Sequence, residues 1–209
     1  MHPNPAFRQT PAQDNLAYAR QVGFGMLTIN SPEGPLAAHV PFVLSPEGAV
    51  ADLHLARSNP IARAALPGRA LLAVQGPQHY ISPDWYGPHE EVPDQVPTWN
   101  YIAVHLRGTL SPLPPEALQG QLEQITAEHE ARLLPKRPWT MAKMSEGAAA
   151  RMMRMIQPFR LEIAAVDGTW KLGQNKPGPL RHRAAEALDR QTGVPDAQHL
   201  AGLMRGVGE

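Results

Sequence analysis

The chain falls into segments of two hydrophobic periods. Phe24 to Ile29, Leu36 to Leu44 and Ala49 to Leu55 read as strands. Ser31-Pro32-Glu33-Gly34 and Pro46-Glu47-Gly48 between them are turn chemistry, so the three strands predict an antiparallel meander. Pro41 interrupts the second strand and predicts an edge or a bulge there. Arg69 to Gln75 is an apolar strand, and Thr98 to Leu110 alternates over a longer span. Phe159, Leu161, Ile163 and Ala165 alternate with Arg160, Glu162 and Ala164, which predicts a further strand.

Helical spacing governs the other segments. Thr10-Pro11-Ala12-Gln13 has the form of a helix start, with a capping threonine and proline in the first turn, and predicts a helix to about Gln21. Asn59-Pro60 repeats that chemistry and predicts a short helix over Ile61 to Leu66. Leu118, Leu122 and Ile125 share one face of a helix over Pro114 to Leu133. Ser145 to Ile156 reads as a helix with a Met-rich face, and the group Met141, Met144, Met152, Met153 and Met155 is most simply core packing. Leu180 to Arg190 and Asp196 to Arg205 are C-terminal helices. Hairpins without regular βαβ alternation point to an α+β chain built on a small barrel, and disfavour a doubly wound nucleotide fold.

Composition narrows the function. The chain has 209 residues, 43% of them hydrophobic, enough to bury a core. Lys+Arg and Asp+Glu are both 19, so no global field draws the chain to nucleic acid or anionic lipid. Cysteine is absent, which removes disulfides, thiolate catalysis and Cys-ligated metals and fits a cytoplasmic protein. No apolar run is long enough to cross a membrane, and the N-terminus lacks the order of a signal peptide. The 23 prolines and 17 glycines predict short elements and punctuated loops. No P-loop, nucleophile elbow or zincin motif occurs, and Gly23-Phe24-Gly25 precedes a strand rather than a helix. His39, His54 and His105 fall on different strands without ligand spacing, so no metal site is expected.

Four stretches carry polar and aromatic chemistry. His54-Leu55-Ala56-Arg57-Ser58-Asn59-Pro60 runs from a strand end into a helix. Arg57, the Ser58 hydroxyl and the Asn59 cap beside helix N–H groups would suit a phosphate, or form an ordinary cap with a surface arginine. Gly76 to Pro97 reads as one long loop, and loops of that length are usually functional. Around it, Gln75, Tyr80, Ser82 and Trp85, then Thr98, Trp99 and Asn100, combine ring faces with amides and hydroxyls. That mixture suits a planar heterocycle, or an aromatic loop packed over a barrel end. In Gly168 to Lys176, Lys171 could meet a phosphate and Gln174 and Asn175 a ligand edge, or the stretch is a strand-to-helix turn.

Taken in order, His54-Leu55-Ala56-Arg57-Ser58-Asn59-Pro60, Gln75-Gly76-Pro77 with Tyr80-Ile81-Ser82-Pro83 and Trp85-Tyr86, Val96-Pro97-Thr98-Trp99-Asn100-Tyr101, and Lys171-Leu172 with Gln174-Asn175 resemble the PaiB family. These are FMN-binding negative transcriptional regulators with a split-barrel fold like that of pyridoxamine-phosphate oxidases. The resemblance spans residues 1 to 190. It implies an antiparallel split β-barrel with flanking and C-terminal helices: a barrel domain over 1–176 with inserted helices, and a helical extension over 177–209. It implies a homodimer with FMN in a cleft between the barrels. Arg57, Ser58 and Asn59 match the phosphate place. Trp99-Asn100 and the Tyr80 to Trp85 loop match the flavin walls, and Lys171, Gln174 and Asn175 match the late motif. Three departures stand out. His2 replaces the family's Tyr, Gly173 replaces a Ser, and the loop before Thr98 is acidic at Glu90, Glu91 and Asp94.

The resemblance implies a negative regulator, but no helix-turn-helix is visible. The one basic patch, Lys176, Arg181, His182 and Arg183, serves equally as a solvated helix face, so direct DNA binding has weak support. A flavin-dependent oxidoreductase acting on an unknown small molecule is the alternative. It needs no catalytic motif in the chain, because the cofactor carries the chemistry. A flavin or heme sensor, with His79 and His89 as heme ligands, is a third reading.

Overall fold

The computed structural model describes residues 1–207, so the last two positions of the 177–209 extension lie outside the described residues. Six strands, β1 (Phe24–Ser31), β2 (Gly34–Leu44), β3 (Val50–Ala56), β4 (Gly68–Ile81), β5 (Thr98–Pro112) and β6 (Ile156–Lys171), close into a barrel in the order β1-β2-β3-β6-β5-β4. β1 pairs antiparallel with β2 and with β4, and β3 pairs antiparallel with β2 and with β6. Helices α1 (Ala12–Val22), α2 (Ala117–Ala131), α3 (Ala148–Met153), α4 (Gly178–Asp189) and α5 (Ala197–Arg205) complete the chain. Among the described residues no helix is long and apolar enough to cross a membrane.

The meander forms as the turn residues predict, and the barrel leaves β2 no edge. Pro41 marks where β2 changes partner. Its pairing with β1 ends at Phe24↔Pro41, and its pairing with β3 begins at Phe42↔Leu53. A residue without an N–H fits that junction, because neither ladder runs through it in full.

The chain divides into two compact units, and β4, β5 and β6 each contribute to both. The larger unit holds Leu16–Val74 and His105–Val166. Leu27, Phe42, Leu53, Leu72, Phe159 and Leu161 are fully buried there. Each such side chain contributes about 1.5–3 kcal/mol of transfer free energy. Helix α2 buries Leu118 and Ile125, and its Gln121 amide donates to the Phe159 carbonyl at 3.2 Å. Asp52 on β3 and Arg160 on β6 stand opposite in the ladder and make a two-pronged ion pair at 2.7 Å. Gly108 admits no other residue, since a Cβ there would stand 1.7 Å from the Glu162 carbonyl oxygen.

The smaller unit holds Met1–Asn15, Gln75–Val104 and the chain from Asp167. Helices α4 and α5 pack on each other, burying Ala184, Ala185 and Leu188 from one and Leu200, Ala201 and Met204 from the other. The alanines allow the close approach.

Two expectations besides the edge at Pro41 are corrected. The strand over Arg69 to Gln75 continues to Ile81, so the irregular segment is 82–97 and not Gly76 to Pro97. Buried positions follow Ala70, Leu72 and Val74, then shift phase to Pro77 and Ile81, so the strand continues on the other parity beyond Gln75-Gly76. Gly76-Pro77 reads as a terminator in sequence, but its neighbours carry the ladder past it. The helix expected over Ile61 to Leu66 is a short 3-10 turn, Pro60–Arg63, closing at Ala64.

Candidate functional site

In the larger unit, β3 delivers the first candidate group. Ala51, Leu53 and Leu55 point inward, and Asp52 and His54 lie on the other face. Past the last ladder pair, Ala56↔Ile156, the Arg57 N–H donates to the Met155 carbonyl at 2.9 Å. Its guanidinium is exposed and uses Nε on the Arg154 carbonyl at 3.0 Å. Its terminal nitrogens have no partner among the described residues and remain able to grip an anion. Ser58 is exposed beside it. Asn59 is already engaged, because its Oδ1 accepts from the Ile61 N–H at 2.9 Å. The anion chemistry of this stretch therefore rests on Arg57 and Ser58 more than on helix N–H groups.

His54, two residues before Ala56 on the same strand face, adds a feature that sequence reasoning did not place among site residues. Its Nδ1 is buried and has no hydrogen-bond partner among the described residues. Burial lowers its pKa, so the ring is neutral at neutral pH and keeps one donor and one acceptor nitrogen. An unpaired buried polar atom costs free energy that a ligand group or a water would recover. The signal was present in the sequence as a histidine three positions before Arg57.

In the smaller unit, the end of β4 and the start of β5 carry the aromatic candidates. Tyr80 is 40% exposed and Trp99 52%, and their rings meet edge to face at 6.5 Å. Together with Val96, 69% exposed, they give this end of the smaller unit open ring and apolar faces. Trp85 lies in a 3-10 turn, Pro83–Trp85, that follows Ser82, and stacks on His79 at 6.0 Å. The His79 Nδ1 is engaged with the Tyr80 carbonyl, and His89 is exposed on the acidic loop. Gln75 is exposed at the phase shift in β4. Asn100 has the opposite strand parity from Trp99. It is buried, and its amide meets the Met204 sulfur at 3.5 Å.

Thr98 and Lys171 are brought together: the Lys171 ammonium donates to the Thr98 hydroxyl and lies 5.9 Å from the centre of the Phe7 ring. Burial, then the charge of Lys176, lowers the Lys171 pKa. Lys176, absent from the expected site set, donates to the Gln95 side chain at 2.6 Å and stands over the Tyr86 ring at 5.2 Å. Among the described residues neither ammonium has a carboxylate partner within ion-pair distance. Gln174 turns back on its own loop, accepting from the Leu172 N–H at 2.7 Å and donating to the Trp170 carbonyl. Asn175 is exposed.

The three departures from the family pattern also find places. His2 donates its N–H to the Thr169 hydroxyl at 3.2 Å and packs its ring edge to face on Phe7. Burial, then Lys171, lowers its pKa. Gly173 sits at φ +84°, a left-handed conformation in which a serine is strained. In the acidic loop, Glu91 pairs with Arg183 at 3.4 Å.

In the larger unit the open Arg57 guanidinium fits a phosphate, and in the smaller unit the aromatic faces and the ammonium groups without carboxylate partners fit a planar anionic ligand. The comparisons with known proteins agree. A family model described as "Putative FMN-binding domain" matches residues 1–165, and the chain belongs to that family, whose cofactor is FMN. The chain is 27% identical over 201 residues to the Bacillus subtilis protein named "Protease synthase and sporulation protein PAI 2", covering 95% of this chain and 93% of that one. Among solved structures it resembles the FAD and heme binding protein of Mycobacterium smegmatis (TM-score 0.56, 16% identity, 80% of this chain and 74% of that one). It also resembles the flavocytochrome Anf3 of Azotobacter vinelandii (TM-score 0.52, 14% identity, 76% of this chain and 66% of that one). The split-barrel fold is thus shared at low identity.

Proposed function

We propose that this chain binds FMN as a homodimer and carries the regulatory role of the PaiB type. The exposed Tyr80–Trp99 pair is the observation that carries the reading, because it offers ring faces to a planar ligand. In this proposal Arg57 and Ser58 take the phosphate, and Asn59 holds their turn. Tyr80, Ser82, Trp85, Thr98 and Trp99 serve the ring. Lys171 supplies a positive charge, and Gln174 shapes the late turn. Gln75, Asn100 and Asn175 complete the set. Bound FMN supplies hydride or electron transfer, which no side chain here provides.

One observation weighs against direct DNA binding and keeps the alternative, a flavin-dependent oxidoreductase, beside the regulator. Two members of the basic patch are engaged within the smaller unit. Arg181 donates to the Met204 and Val207 carbonyls at 2.9 and 2.6 Å, and Arg183 pairs with Glu91. Arg181, spent on two backbone carbonyls, has less to offer a phosphate, whereas the exposed Arg183–Glu91 pair is a weak surface contact.

The test is a titration of flavin-free protein with FMN, read by flavin fluorescence, beside the oligomeric state from light scattering. Saturation at one FMN per chain in a dimer is expected, with Trp99→Ala weakening it several-fold. No saturable binding overturns the proposal. Bleaching of the bound flavin by a nicotinamide reductant selects the oxidoreductase reading. A salt-dependent shift of the protein's own upstream DNA selects the regulator.

A further inference from the structure

A cavity in the larger unit is lined by none of the candidate flavin residues. It measures about 400 Å³ and is lined by Thr126 of α2, Trp139, Met141 and Met144 of the following segment, and Met152 and Met153 of α3, with Leu122, Ala149 and Ile156. The sequence reads these methionines as core packing. Here α3 buries none of its residues, and Met152 is 63% exposed.

The wall is held in place. The Glu130 carboxylate on α2 accepts from the Trp139 N–H at 2.8 Å and from the Lys136 ammonium at 2.5 Å. The Lys143 ammonium donates to the Pro138 carbonyl at 3.0 Å. These bonds fix the segment that carries Trp139 and Met141 against α2.

We propose that this cavity is a binding site for an uncharged, largely apolar small molecule containing an aromatic ring. The volume falls in the range of small-molecule sites. No lining residue is charged, so an ionic ligand would lose its hydration without a compensating partner. Methionine sulfurs and the Trp139 ring favour aromatic contact, and flexible methionines tolerate varied shapes. The Thr126 hydroxyl is the one side-chain hydrogen-bonding group apart from the Trp139 indole.

The site is also linked to Arg57. Met153 and Ile156 line the cavity, and the two residues between them, Arg154 and Met155, supply the carbonyls that hold Arg57. An occupant that shifts this short segment shifts the guanidinium with it. The ligand therefore changes FMN affinity, and by reciprocity FMN changes the ligand's affinity by the same factor. This coupling rests on the proposed role of Arg57 in flavin binding, whereas the apolar site does not.

The probe is N-phenyl-1-naphthylamine, an uncharged aromatic whose emission rises in apolar surroundings, titrated into the full chain without flavin. Expected are saturation at one probe per chain and at least tenfold weaker binding in Met144→Glu and in Met152→Glu. The latter is exposed enough to leave folding intact. Leu134→Glu, at a residue 64% exposed but outside the lining, should match the wild type. Non-saturable binding, equal loss in Leu134→Glu, or no loss in the Met152 variant overturns the site. Binding that appears only on dilution from a larger assembly, with Met152→Glu changing the oligomeric state, assigns the face to a second copy and also overturns it. With FMN present, a reciprocal change in the two affinities supports the coupling, and independent binding of both overturns it. A chain that binds the probe but no FMN sinks the flavin reading and the coupling, and leaves the apolar site standing.

Discussion

Replacing Arg57 with alanine separates the phosphate from the ring in flavin recognition. The guanidinium is exposed, and the substitution removes one intramolecular bond, Nε to the Arg154 carbonyl at 3.0 Å. A single exposed bond of that kind contributes about 1 kcal/mol or less to folding, so the variant should unfold close to the wild type. Binding should respond far more. A hydrogen bond to a charged group contributes about 1.5–3 kcal/mol, and each ~1.4 kcal/mol is tenfold in affinity. The FMN dissociation constant should therefore rise about 12- to 140-fold. Riboflavin has the same ring and no phosphate, and its affinity should stay the same. Arg57→Lys should fall between, because a point charge replaces the fork and the Nε bond is lost. The assay is flavin fluorescence quenching at fixed ionic strength, with urea unfolding alongside. If FMN affinity is unchanged, or if FMN and riboflavin weaken equally, the phosphate assignment is refuted.

Three further perturbations probe the framework. Gly168→Ala places a Cβ 2.0 Å from the Oδ1 of buried Asn15, which accepts from the Trp170 indole at 2.8 Å. A loss of about 2–3 kcal/mol in urea unfolding is expected, and a change under about 0.5 kcal/mol would refute the close approach. Gly173→Ser restores the family's hydroxyl but strains a backbone at φ +84° and crowds the Arg181 Cγ at 3.3 Å. It should destabilise by about 1 kcal/mol, and a stabilised variant would show that the turn adapts. The third concerns pH. The Lys136 hydrogen bond, then the Trp139 N–H, holds the Glu130 carboxyl below its ordinary value near 4.5. A depressed carboxylate contributes stability above the unfolded value, and that stability is lost as pH falls through the folded value. The Trp139 segment should loosen below pH 4.5, seen as weakened naphthylamine binding. The same acid transition in Glu130→Gln would show that another group controls it.

The strands were legible because their alternation needs only a buried and an exposed face. The meander from Phe24 to Leu55 followed from its turn residues, and the two C-terminal helices from their spacing. The candidate residues were legible as chemistry rather than as geometry. Tyr80 and Trp99 read as ring faces, but their 6.5 Å contact depends on which positions of β4 and β5 face outward. The phase shift at Gln75-Gly76 sets that for Tyr80, and Gly-Pro reads locally as a loop. Asn59 read as a phosphate ligand and a cap at once, and the turn at Pro60–Arg63 uses its Oδ1 as the cap. The methionines of 141–153 read as core because a helical Met stripe is normally covered. Only the short α3 and the loop pinned to Glu130 show that they line a cavity.

Local physics written along the chain therefore determined the elements, the absence of thiol chemistry and the family motifs. Tertiary structure decided where β4 ends, why Pro41 and Gly108 stand where they do, and which polar groups are already satisfied. The reason is that hydrophobic period and turn chemistry act between near neighbours, whereas closing a barrel pairs residues far apart in the chain. Whether a given Arg, Asn or His still has a free hydrogen bond to offer depends on those distant partners.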